Sequence, residues 1–195
     1  MRMIRRASIH YFFLSLVFTF VSCRKKDDPV TPPTTGPVQE EELITTLAVH
    51  LHSVDGTQHL HMSFRDLDGE GGNAPVIDLD TLTANTVYEV ELEVLNESVN
   101  PVIDITEEVQ QEGELHQFFY QISGADLIVA YADQDVNGRP IGIHSTWTTG
   151  NVSSGSIRIT LRHELDKDAA GVSDGNITNA GGDTDIEVDL PITVE

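Results

Sequence analysis

Two short segments of this 195-residue chain each carry a pair of imidazoles two residues apart, His50-x-His52 and His59-x-His61. They hold half of the chain's eight histidines. Alternate residues of a strand share one face, and imidazole is a ligand for Zn²⁺ and Cu²⁺. Between the pairs stands Asp55-Gly56, a dipeptide suited to a two-residue type I′ turn. A hairpin centred there pairs Leu51 with Leu60, Val49 with Met62 and Leu47 with Phe64 on one face. The other face receives His52 with His59, His50 with His61 and Ala48 with Ser63. Opposed Cβ atoms lie about 4.5–5.5 Å apart, with the next pair roughly 7 Å along the strands. His50, His52, His59 and His61 could then chelate a transition metal. The plainer reading has them filling exposed strand positions.

Two loops have spacing for a harder cation. Asp133-Gln-Asp135-Val-Asn137-Gly138 places side-chain oxygens at alternate positions before a glycine, like the first half of an EF-hand loop. The closing glutamate is missing, and His144 stands where it would fall. Asp66-Leu-Asp68-Gly69-Glu70 is similar but looser. Both are candidate Ca²⁺ loops, and both also read as ordinary Asp/Asn/Gly turns.

Catalytic patterns are weak. There is no G-x-S-x-G elbow, and the only cysteine is Cys23. His163, Glu164 and Asp166 could exchange protons, which leaves a hydrolase as the third reading. However, His163 continues the alternation of Ile157, Ile159 and Leu161, as the end of a core stripe. His116, ahead of Phe118 and Phe119, reads as a packed histidine. Glu107, Glu108, Glu112 and Glu114 read as a solvated helix face. One Trp among 6% aromatics is too little for a carbohydrate platform. The expectation is a protein that is not an enzyme and uses no organic cofactor.

Cys23 sets the address. Arg2, Arg5 and Arg6 precede the apolar run from Tyr11 to Val21, then Ser22. A basic start, a short apolar core and a small residue before the break make an export signal. A cysteine at the break resembles a lipobox, in which the thiol is acylated and becomes the first mature residue. The predicted organisation is a signal peptide at 1–22, a Pro/Thr-rich tether at 23–42 and one domain at 43–195. The expected location is the cell envelope, anchored by lipid at the outer membrane. Lys25 to Asp28 resembles a surface-export signal. The full chain carries 11 Lys+Arg against 32 Asp+Glu. Removing 1–22 leaves a net of −24, which repels nucleic acid and attracts cations. The expected partners are the membrane, through the anchor alone, and an envelope protein or extracellular ligand.

The elements that must position these residues are strands. Period-two alternation marks 43–53, 58–65, 87–96, 116–122, 127–132, 141–148, 156–163 and 184–194, bounded by Gly, Asn, Asp or Pro. Only 103–115 looks helical, with Asp104 or Thr106 as its cap and Glu107 and Glu108 in its first turn. The predicted fold is all-β, a single antiparallel β-sandwich, immunoglobulin-like in the broad sense, with one short helix.

Several stretches also carry a resemblance. They are Phe64-Arg-Asp-Leu-Asp-Gly-Glu-Gly-Gly-Asn-Ala-Pro75, Ile105-Thr-Glu-Glu108 with His116-Gln-Phe-Phe119, and Tyr131-Ala-Asp-Gln-Asp135. Leu161-Arg-His-Glu-Leu-Asp-Lys167 and Gly171-Val-Ser-Asp-Gly-Asn-Ile-Thr-Asn-Ala-Gly-Gly182 complete the set. In these the chain resembles a family of small β-rich lipoproteins of the Bacteroidota. Some members carry a type 1 periplasmic binding fold label, which describes an α/β protein. The resemblance implies a lipid-anchored envelope domain and names no activity or site residues.

Overall fold

The computed structural model describes residues 43–69 and 71–195. The signal at 1–22, the tether with Cys23, and Glu70 lie outside the described residues. The alternation becomes ten strands: β1 (Thr46–Ser53), β2 (His59–Arg65), β3 (Val76–Leu79), β4 (Val87–Asn96), β5 (Ile103–Asp104), β6 (His116–Ser123), β7 (Leu127–Tyr131), β8 (His144–Thr149), β9 (Ser153–His163) and β10 (Asp183–Val194). Among the described residues one α-helix, α1 (Thr106–Gln111), lies between β5 and β6, and two 3-10 turns, Val172–Asp174 and Ile177–Asn179, lie between β9 and β10. The larger sheet runs β3-β2-β1-β4-β8-β7, with β5 paired to the end of β4. The smaller runs β10-β9-β6. Strand pairs within both are antiparallel.

The inner faces meet in one core, as the alternation requires. Leu47, Val49, Leu51, Tyr88, Leu92 and Val94 come from the larger sheet, and Phe118, Ile157, Ile159, Leu161, Leu190 and Val194 from the smaller. The fold is the predicted all-β sandwich with one small helix. A second cluster, Phe119, Leu165, Val172 and Ala180, holds the 164–182 loop against the outer side of β6.

The first hairpin takes the predicted register, residue for residue, from Leu47↔Phe64 to His52↔His59. Its turn is not the predicted one. Type I′ needs positive φ at both central residues, and only Gly56, at φ +72°, has it. Instead Ser53 N–H donates to Gln58 O at 3.0 Å and Gly56 N–H to Ser53 O at 2.8 Å, closing a four-residue loop. The Asp55 carboxylate accepts from Ser53 Oγ, Thr57 N and Thr57 Oγ1 and rigidifies it. Both loops are centred on the same peptide bond, so the register survives.

Other boundaries also moved. The helix occupies half of the predicted span, because Ile103–Asp104 pairs with β4 instead. Its cap is Ile105, which makes no side-chain capping bond. Thr106 Oγ1 is drawn to Val94, and Asp104 accepts from Thr106 N–H at 2.9 Å. β8 begins at His144 rather than 141, since Gly142 at φ +89° breaks the extended run.

Candidate functional site

The larger sheet presents imidazoles and carboxylates in rows on its outer face. On β1, Leu47, Val49 and Leu51 point into the core, so His50 and His52 point outward. Across the ladder His61 opposes His50, His50 opposes Glu91, and Glu91 opposes His144. In the next row His59 opposes His52, and His52 opposes Glu89. The structure therefore brings the four hairpin histidines together and adds a fifth, His144. The His52 and His59 Nδ1 atoms are 2.9 Å apart, with rings edge to face. The His50 and His61 ring centres lie 5.2 Å apart, and His50 Nε2 reaches Glu93 at 3.5 Å. Two shallow clefts flank Glu91. One of about 370 Å³ is lined by His52, Glu89, Glu91 and His144. The other, about 340 Å³, is lined by His50, His52, Glu91, Glu93 and Asp104. Glu89, Glu91 and Glu93 alternate along β4 and so share one face, but the β1–β4 pairing spans some forty residues and leaves no local signal.

A second histidine pair lies in the smaller sheet. His116 opens β6, fully buried, and opposes His163 at the end of β9. Their rings stack at 4.4 Å. Both predictions for these residues hold, since His163 does end the Ile157–Ile159–Leu161 stripe. His116 Nδ1 lies 3.2 Å from the carbonyl of Glu112, which can only accept, so Nδ1 carries the proton and Nε2 the lone pair. That Nε2 is buried with no hydrogen-bond partner, 3.8 Å from Asp185 Oδ2. His163 Nδ1 lies 3.9 Å from the other oxygen of the same carboxylate. Burial holds the His116 imidazole below its usual pKa, which favours the neutral ring. Among the described residues, Glu112, His116 and His163 form the one group of three whose ligand atoms lie within 4.8 Å of one another.

The alternation of Ile186, Val188, Leu190, Ile192 and Val194 would point Asp185 outward. A β-bulge between Thr184 and Ile186 turns it in, leaving its side chain 2% exposed. Gly182, at φ +67°, carries the chain over His163; a Cβ there would stand 2.1 Å from the His163 carbonyl oxygen.

The candidate calcium loops are held by the chain's own donors. Asp133 accepts from Gly142 N–H and His144 N–H, at 2.7 and 2.9 Å. Asp135 accepts from Asn137 and Arg139 N–H through one oxygen and from Lys167 Nζ, at 3.1 Å, through the other. Asn137 donates to Glu114. Asp66 and Asp68 close their own turn, through Gly69 and Asn73. A calcium ion at the first loop has to displace the Lys167 ammonium. The expected outcome is that millimolar Ca²⁺ raises the melting temperature no more than NaCl of equal ionic strength. An excess that Asp135→Ala removes would show the ion winning that competition.

Comparison of the chain with protein-family models, with curated proteins and with solved structures returned no match.

Proposed function

We propose that this chain is a non-enzymatic binding module of the cell envelope, anchored by lipid at Cys23, whose ligand is a divalent transition-metal ion such as Zn²⁺ or Cu²⁺. The uptake surface is the outer face of the larger sheet. One observation carries the reading: His52 and His59 share an Nδ1···Nδ1 hydrogen bond at 2.9 Å in the open, and moving its one proton to Nε2 leaves two lone pairs close enough to hold one ion. Glu89 and Glu91 stand across the ladder as oxygen donors. The excess of acidic residues draws cations toward them. The anchor rests on the Arg-rich, apolar, Ser22-Cys23 sequence, and the family resemblance supports the envelope location.

Calorimetric titration with Zn²⁺ at pH 7.5 and 5.5 tests the reading. A ligating imidazole must be neutral, and its ordinary pKa is about 6.5. Affinity should therefore drop at least tenfold at the lower pH. Replacing His52 and His59 with alanine should remove the outer-face binding at both. Zn²⁺ binding that this double variant leaves untouched would make the exposed histidines plain strand residues.

A further inference from the structure

We propose that the open side of the sandwich between β3 and β10 takes an extended segment of a partner protein, alternating apolar with basic residues, as an added strand. The two sheets differ in width: the larger runs through six strands in line, the smaller through three. β3 ends the first and β10 the second, so among the described residues each has one edge that no other strand covers along its length. In register with β2, Ile77 opposes Phe64 and Leu79 opposes Met62, which puts both on the core side. Met62 is fully buried there, yet Ile77 and Leu79 remain 43% and 37% exposed. The smaller sheet stops short of them.

Both edges also offer main-chain groups. Asp80 N–H donates to His61 O at 3.2 Å, so by alternation Ile77 and Leu79 turn their N–H and C=O to the open edge. After β3 the chain crosses to the last residues of β10. Leu82 N–H donates to Thr193 O, and Glu195 N–H to Leu82 O, both at 2.9 Å. The main chain of Glu187 and Asp189 faces the same way as that of Thr193, and Pro191 between them has no N–H to continue the pairing. The gap is therefore closed at one end and open at the other, where Ile44, Phe64, Leu67 and Ile186 line a cleft of about 460 Å³.

Charge selects the occupant. Asp66 and Asp68 line the cleft, and Asp78 and Asp80 lie on and just beyond β3. A second copy would set acid against acid, since the chain carries 32 Asp+Glu against 11 Lys+Arg. The residues before Leu43 are Glu40, Glu41 and Glu42, ill matched for the same reason. A basic, alternating segment fits: its apolar side covers Ile77 and Leu79, its lysines or arginines meet the carboxylates, and the main chain supplies affinity.

The probe is a fluorescein-labelled peptide alternating lysine with valine, titrated into the metal-free mature chain and followed by anisotropy. EDTA is present throughout, so failure here is separate from failure of the metal reading. Micromolar binding is expected, with amide hydrogen exchange slowed at Ile77, Leu79, Glu187 and Asp189. A peptide of the same composition in block order keeps the charge without the alternation and should bind at least about tenfold more weakly. Ile77→Lys, at a partly exposed position, should weaken binding of the alternating peptide by a similar factor. No binding, equal binding of the two peptides, or binding that Ile77→Lys leaves unchanged would overturn the proposal. Slow exchange at Ile77 and Leu79 without peptide would overturn it too, because the edge is then already covered. A dimer in sedimentation would name a second copy as the cover, and a monomer the residues before Leu43.

Discussion

Replacing Lys167 with methionine is expected to lower the unfolding free energy by about 3–5 kcal/mol, read from urea melts at pH 7. The Lys167 ammonium is buried and donates to the carbonyls of Gly113 and Pro140 as well as to Asp135 Oδ2. It thereby joins the α1–β6 turn, the β7–β8 loop and the 164–182 loop. Methionine keeps the stem volume but leaves a buried carboxylate and two carbonyls without that donor. Removing one partner of a buried pair costs far more than the pair itself contributes. The acid limb should change too. Burial alone would raise the Asp135 carboxyl, but the Arg139 N–H and the Lys167 ammonium outweigh it and hold it below the usual range. A depressed folded value means the contribution is fully present above the unfolded pKa, about 3.9, and is lost as pH falls through the folded one. Wild-type stability should therefore decline below about pH 4, and Lys167→Met should flatten that part of the decline. An unchanged acid limb together with a loss under about 1 kcal/mol would show the ammonium to be a surface group.

Trp147→Ala should cost a similar amount, about 3–5 kcal/mol, and lower the melting temperature by roughly 10 °C. Trp147 is fully buried on β8, between Tyr88 on β4 and Val129 on β7. Its ring meets Tyr120 of the smaller sheet edge to face at 6.2 Å, so it bridges the two layers. Its Nε1–H donates to Ser145 Oγ at 3.0 Å. Phenylalanine would keep most of the volume and lose that bond, so Trp147→Phe should cost less than half as much. Equal losses in the two variants would locate the effect in the hydrogen bond rather than in the packing.

The sequence was most legible where a pattern repeats over short distances. The Leu47–Phe64 hairpin followed from alternation alone, because a slip of one residue would turn one strand's two histidines toward the core and its leucines outward. The turn type did not follow, since two-residue and four-residue loops centred at the same bond give one register. His50, His52, His59 and His61 were found as a face, but the row through Glu91 to His144 depends on β1 pairing with β4 and β4 with β8. Such long-range pairings leave no trace in local spacing. β3 was hidden by its exposure, with Val76, Ile77 and Leu79 all on the surface. Lys167 gave no signal at all: a lysine between aspartates reads as solvated until three loops close over it.

The bulge in β10 bears on how a buried carboxylate is gained or lost over generations. Thr184 and Ile186 oppose the neighbouring residues Arg162 and Leu161, so the ladder is complete without Asp185. Loss of that single codon would restore a regular strand and keep Ile186, Val188, Leu190, Ile192 and Val194 facing the core. The interior carboxylate would vanish while the fold stayed intact. The trait is thus carried by an inserted residue, and a one-codon deletion can erase it while every other amino acid stays the same.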